Sequence, residues 1–302
     1  MEIDYLKDLL KEFESKLTYN QNLKNKSWFN IGGKSKVFFK AENLRDLVGF
    51  LKLLDNKEKI FVIGAGSNTL ISDNFFDGVV IKLSKNFNRI SLLDEKIIIS
   101  GSAVMDKKLS DFAAENNLSG FEFMSCIPGS VGGGIKMNAG CFGSEFKDIL
   151  ISIQAIDKKG NLITIPSDKI DFEYRGSNLP NNLIFLSASF KGVNSNFDQI
   201  SKEMKKMQEK KKINQPLNIK TSGSTFKNPI NQTDKKVWEL IRESVSLDTK
   251  FGDAHISEKH SNFFVNKGGA SFNDMKTLID FVSQKVLEKT GIKLDKEIKI
   301  LE

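Results

Sequence analysis

Glycine stands at positions 129, 132, 133, 134 and 140 of one stretch, Ile127–Gly140, which reads IPGSVGGGIKMNAG. Glycine reaches backbone angles closed to other residues and lets a ligand approach main-chain N–H groups. Successive N–H groups form a concavity suited to anions, phosphate above all. A second stretch of this kind, Ile63-Gly64-Ala65-Gly66-Ser67-Asn68-Thr69-Leu70, follows directly on the strand-like run Lys59–Ile63. The chemistry in prospect is the grip on a nucleotide pyrophosphate. The alternative is a tight turn with close packing.

Neither stretch fits the commoner nucleotide motifs. After Gly64-Ala65-Gly66, Thr69 stands where a Rossmann fingerprint needs its third glycine, and Ser72-Asp73-Asn74 interrupts the helix that should follow. Gly129 and Gly134 have Walker A separation, but Ile135 occupies the lysine position and Met137 follows Lys136 where Ser or Thr is required. Two glycine loops that face each other can hold one dinucleotide from both sides, with its other end near a domain interface.

Helix and strand patterns place the two loops. Leu6, Leu9, Leu10, Phe13 and Leu17 have helical spacing over Asp4–Leu17, and Leu44–Leu54 carries an apolar stripe. Strand patterns at 36–40, 59–63 and 79–83 complete an α/β unit spanning residues 1–80. Residues 81–205 are mostly β, with strand patterns at 90–102, 149–156, 162–166 and 183–190 around a short helix at 107–116. A helix at 198–212 leads into the last segment, 206–302, which carries helices at 233–245 and 272–290 and strands at 262–265 and 294–301. Three domains are expected, of 1–80, 81–205 and 206–302.

The chain has 302 residues, 39% hydrophobic and 27% charged, as in ordinary soluble proteins. Its net charge of +7 is spread along the chain, apart from Lys205–Lys212, which reads as a solvated helix face. A modest positive field favours a polyanionic small molecule; no RNA or DNA motif accompanies it, so no nucleic-acid partner is expected. Cys126 and Cys141 make no disulfide framework and lack metal-ligand spacing, so no metal is expected. The N-terminus is charged and amphipathic, unlike a signal peptide or membrane span, and the expected location is the cytoplasm.

IGAGSNTLISD (63–73) and GFEFMSCIPGSVGGGIKMNAG (120–140) resemble the FAD-binding loops of the UDP-N-acetylenolpyruvoylglucosamine reductases. FEYRGSNLP (172–180), SGSTFKNP (222–229), SEKHSNFFVN (257–266) and GIKLDKEIKI (291–300) follow in the family's order. The resemblance implies an α+β protein: a two-lobed FAD-binding fold of the vanillyl-alcohol-oxidase (PCMH) type plus a C-terminal α/β substrate-binding domain. It implies that Ile63–Leu70 together with Pro128, Gly129, Ser130, Gly132, Gly133, Asn138, Ala139 and Gly140 bind FAD. It further implies a reaction in which NADPH reduces FAD and reduced FAD reduces a UDP-N-acetylglucosamine enolpyruvate, by a monomer. The short spacing from Arg175 to Ser224 is similar to the shorter form of the family.

The same resemblance assigns roles. Arg175 matches the catalytic arginine, Ser224 the proton donor and Glu297 the third catalytic residue; Tyr174, Lys227 and Asn228 match substrate contacts. The chemistry suits the types: a guanidinium binds a carboxylate bidentately, and placed donors stabilise an enolate. On the residues alone, Arg175 reads as a surface arginine in a turn, Ser224 as part of a Ser/Thr-rich turn, and Glu297 as one of a solvated strand face shared with Asp295 and Lys299. His260 reads as structural or near the substrate. Cys126 replaces a usual glycine, and Ser244–Asp253 lacks most of the family's glycines there. Two other readings compete: an FAD-linked oxidase of a small alcohol sharing the fold, and a non-catalytic nucleotide-binding module.

Overall fold

Leu47, Leu51 and Leu54 recur on one face of the helix Leu44–Leu54, and with Phe50 they are its buried residues. Asn43 caps it, its side chain accepting from Asp46 N at 2.9 Å. This helix covers a four-stranded sheet in the order Leu17–Asn22, Lys34–Ala41, Phe76–Leu83, Ile60–Val62. The rings of Phe39 and Phe50 stack at 3.9 Å, and Phe13 meets both edge-on at 5.7 Å. The computed structural model describes residues 2–216 and 218–302. Its contacts divide into two units. The first comprises Met1–Gln21, Lys36–Ala65 and Asp77–Lys210, and the second Asn22–Ser35, Gly66–Phe76 and Lys211–Glu302.

The helix expected over Asp4–Leu17 is shorter. An α-helix covers Glu2–Leu9, a 3₁₀ turn covers Lys11–Lys16, and Leu17 is already extended at φ −108°, ψ 148°. Leu17 opens an edge strand, and 3₁₀ turns are the usual way a helix tightens before such an exit.

A five-stranded antiparallel sheet completes the first unit, in the order Leu162–Pro166, Leu150–Ile156, Ile184–Lys191, Ile97–Gly101, Ile90–Leu92. Ile153, Ala155, Ala188 and Phe190 share a core with Leu109 and Ala113 of the helix Asp106–Glu115. Ile156, Ile184 and Leu186 join the core around Phe39 and Phe50, so the two sheets share buried side chains. The helix Phe197–Asn214 buries only Ile200 and Met204, leaving its lysines solvated as expected.

In the second unit, helices Val237–Ser244 and Phe272–Thr290 bury Leu240, Ile241, Leu278, Ile279 and Val282 in one core with Ala254, Ile256 and Phe264. These last three lie on the sheet Lys250–Phe251, Ala254–Ile256, Phe264–Asn266. The longer helix is bounded by a Ser271/Asp274 capping box and by Gly291 at φ 72°. The strand expected over 294–301 is regular only at Lys299–Leu301, which pairs in parallel with Thr69–Ile71.

Candidate active site

The glycine stretch is stitched to the segment before it. Asp106 N donates to Gly129 O at 3.0 Å, Val131 N to Val104 O at 2.8 Å and Gly132 N to Ser102 O at 2.9 Å. Gly129 N, Gly134 N and Ala139 N also donate within the protein. Much of this loop therefore turns its amides inward, and its glycines serve close packing. A Cβ on Gly134 would stand 2.3 Å from the Phe146 ring, and one on Gly140 would stand 2.5 Å from Ser144 O. Gly133 differs: its nearest neighbour, Ser130 Oγ, is at 3.6 Å, an ordinary contact.

The other loop supplies what this one lacks. Among the described residues, no acceptor receives the N–H groups of Gly64, Ala65, Gly66, Ser67 or Asn68. Within the first unit, a Cβ on Gly64 would lie 2.5 Å from Ser130 Oγ, so the loops abut there. Gly66 has φ +71°, and a Cβ there would collide with Lys26 O at 1.9 Å. The side chain of Thr69 is buried, and Thr69 O accepts from Ser27 Oγ at 2.5 Å.

Arg175 is held against the end of the glycine stretch. Its Nη2 donates to Gly140 O at 2.8 Å, its Nη1 lies 3.6 Å from Glu145 Oε1, and its guanidinium stands 4.9 Å from the Tyr174 ring centroid. Arg175 and Phe142 both have left-handed backbones, at φ 56° and 54°, a conformation uncommon for non-glycine residues. They line one cavity of about 380 Å³ with Gly140, Cys141, Glu145 and Tyr174. Asn138, expected at the cofactor, is 0% exposed, and its side chain is committed inside the protein. Nδ2 donates to Glu145 Oε2 at 2.9 Å and Glu173 O at 3.1 Å, and Oδ1 accepts from Lys147 N at 3.1 Å. Glu145 had no sequence signal beyond its position in the hairpin after the glycines.

Ser224, Lys227, Asn228 and Glu297 all belong to the second unit. Glu297 N donates to Thr225 O, and Lys227 N to Asp295 O, both at 2.8 Å; Phe226 bridges Lys296, and Ser224 bridges Phe263. Glu297 stands just before the regular strand, where Asn68 Nδ2 donates to its carbonyl at 3.1 Å and Lys299 N donates to Asn68 O at 2.9 Å. These bonds set the segments that carry Lys227, Glu297 and Asn68 side by side, with Ser224 at the edge of the same run. Lys299 is lowered by partial burial and by the Lys227 ammonium, with Glu297 opposing. Asn228 Oδ1 accepts from Val237 N at 3.0 Å and marks the start of that helix, later than the expected Thr233. His260 is lowered, first by burial and then by the charge of Arg242, and its Nδ1 accepts from Asn262 N at 3.3 Å. No group of His, Cys, Asp and Glu among the described residues is placed to hold a metal ion.

Two family models match the chain: an FAD binding domain over residues 35–166, and the C-terminal domain of UDP-N-acetylenolpyruvoylglucosamine reductase over residues 215–301. The UDP-N-acetylenolpyruvoylglucosamine reductase of Pelagibacter ubique (strain HTCC1062) is 60% identical over 301 residues, covering 100% of both chains. The chain belongs to the UDP-N-acetylenolpyruvoylglucosamine reductase family. The reductase of Rickettsia massiliae (strain Mtu5) is 44% identical over 280 residues, 92% of this chain and 93% of that one. The crystal structure of the reductase from Thermus caldophilus superposes with a TM-score of 0.80 at 28% identity, covering 95% of this chain and 98% of that one. Membership makes the chain an FAD-dependent oxidoreductase of peptidoglycan synthesis and bears out the expected fold class. Within the first unit the residues present fit the cofactor: the N–H groups of Gly64 and Ala65 with no acceptor among the described residues, the room over Gly133, and a buried Ser102 Oγ with no partner among the described residues. No helix among the described residues is long and apolar enough to cross a membrane.

Proposed function

We propose that this reductase converts UDP-N-acetylglucosamine enolpyruvate to UDP-N-acetylmuramate with NADPH as reductant, as a cytoplasmic monomer. FAD, which Ile63–Leu70 and the Gly129–Gly133 turn would hold, would supply hydride transfer from NADPH to the β-carbon of the enolpyruvyl group. Negative charge then builds on the α-carbon and carboxylate. Arg175 binds that carboxylate through its fixed guanidinium. Ser224 Oγ–H gives its proton to the α-carbon, and Glu297 assists and orients. Lys227 and Tyr174 contact the substrate. In this reading the FAD lobes are 1–80 and 81–205, and 206–302 holds the substrate. The observation that supports the reading is the set of hydrogen bonds that lays the Thr225–Lys227 run, which follows directly on Ser224, against Asp295–Glu297 and Glu297 against Asn68. Purified holoenzyme should oxidise NADPH beyond one equivalent per flavin only when the enolpyruvyl nucleotide is present. A flavin-free protein inert with added FAD, or one that consumes oxygen with simple alcohols instead, defeats it.

Two glycine variants test the cofactor loop separately from the chemistry. Gly133→Ala should fold normally, since alanine is favoured over glycine in a helix by about 1 kcal/mol and meets no obstacle. It should nevertheless bind FAD at least about tenfold more weakly, a loss of about 1.4 kcal/mol. Gly134→Ala should lose about 1–3 kcal/mol of stability by overpacking against Phe146. Equal flavin affinity in Gly133→Ala and the parent would remove Gly133 from the site.

A further inference from the structure

Asp106 opens the helix Asp106–Glu115 and is 0% exposed. Neither carboxyl oxygen has a hydrogen-bond partner among the described residues. The side chain presses on the glycine stretch: a Cβ on Gly129 would stand 2.6 Å from Oδ2. An acidic residue in the first turn of a helix usually turns its carboxylate to solvent or to the free N–H groups. Here it is turned under the loop, where an aliphatic side chain would pack at no electrostatic cost.

We propose that Asp106 is a positioning residue of the FAD site, its carboxyl backing the Gly129–Gly133 turn so that FAD binding is linked to a proton on Asp106. This rests on the FAD reading of that turn. An unpaired carboxylate at full burial is too costly to persist, so the group is held as the neutral acid. Burial is the only cause that raises Asp106, and raises it well above the ordinary carboxylate range. The charged groups of its own and packed elements are engaged elsewhere. Lys107 pairs with Asp111 at 2.6 Å, Glu122 Oε2 accepts from Gly120 N at 2.8 Å, and Lys136 donates to Leu179 O and Pro180 O. Lys108 and Glu115 are exposed, and the remaining titratable side chain of the packed turn is the buried thiol of Cys126.

The sign follows from charge. FAD carries an anionic pyrophosphate. A carboxylate behind the turn repels it and a carboxyl does not, so bound FAD raises Asp106 further. As pH rises through the Asp106 range, the free protein loses its proton first and affinity falls, by at most about tenfold per pH unit. Stability moves the same way. An unfolded Asp titrates near 3.8, so the folded chain holds the extra proton above that value, and stability declines as pH rises toward the folded value.

The test is the dissociation constant of FAD from the apoprotein, read by flavin fluorescence across a pH series. The parent should weaken by about threefold or more per pH unit within the Asp106 range. Asp106→Asn, uncharged at every pH, should bind about as tightly as the parent at low pH and lose the slope. A second measurement needs no variant: calorimetry of FAD binding in two buffers of different ionisation enthalpy should show net proton uptake over the same range. A flat parent profile, a slope retained in Asp106→Asn, or no uptake overturns the proposal. If Asp106→Asn does not fold, the calorimetry alone decides. A parent protein that binds no FAD at any pH defeats the underlying cofactor reading instead.

Discussion

Ser224→Ala is expected to slow turnover about a thousandfold, about 4 kcal/mol in barrier, while leaving the reduction of bound flavin by NADPH intact. The substitution should be nearly silent in the fold. Ser224 is half-buried, its Oγ has no partner among the described residues, and its strand is fixed by neighbours. Thr225 N donates to Asn262 O at 2.8 Å, and Asn262 clasps both the N–H and the carbonyl of Phe226. Gly223, at φ +78°, supplies the turn and is untouched. Stability should change by less than about 0.5 kcal/mol. The two half-reactions then separate. Addition of NADPH bleaches the flavin at the parent rate, and addition of the enolpyruvyl nucleotide restores its colour slowly. Ser224→Cys should recover part of the loss, because a thiol is the stronger acid. Turnover of Ser224→Ala within about tenfold of the parent would take the proton transfer away from this hydroxyl.

The sequence made the scaffold readable where local signals agreed. The apolar stripe of Leu44–Leu54 and the helix expected at 272–290 match the helices found, which Asn43, Ser271 and Gly291 bound. Glu297 was harder. Alternation suggested a strand, yet Asp295–Glu297 bonds irregularly to Thr225–Lys227, and only Lys299–Leu301 forms a ladder. That pairing joins residues more than sixty positions apart, which no local pattern encodes. The glycines misled in a different way. Their density pointed to an anion site, but the inward amides of Gly129, Gly132 and Gly134 and the contact of Gly134 with Phe146 show how much of that density serves packing. The sequence cannot separate a glycine that admits a ligand from one that admits a ring. Asp106 was equally silent: a helix-opening aspartate looks the same whether it faces water or the underside of a loop.

Asn138→Ala is expected to cost about 3–5 kcal/mol of stability and to disturb Arg175 along with it. Three hydrogen bonds of about 1 kcal/mol each are lost, alanine at the left-handed φ of 40° costs about 1 kcal/mol more, and desolvated partners are left behind. Those partners are the reason the effect reaches the site. Glu145 Oε2 also meets Lys147 Nζ at 3.0 Å, and its Oε1 faces Arg175. Glu173 leads directly into Tyr174 and the left-handed Arg175, and its carbonyl is anchored by Asn138 Nδ2. Asn138→Gly relieves only the backbone strain and should recover about 1 kcal/mol. Asn138→Asp keeps an acceptor for Lys147 N but sets a second carboxylate against Glu145, so its deficit should shrink as pH falls and one carboxyl takes a proton. Chemical denaturation measures the stabilities, and turnover of the folded fraction measures the site. A loss below about 1 kcal/mol in Asn138→Ala would mean that the buried amide is not the hub its hydrogen bonds describe. A full loss of stability with unchanged turnover in the folded fraction would mean that Gly140 O and the Tyr174 ring hold Arg175 without it.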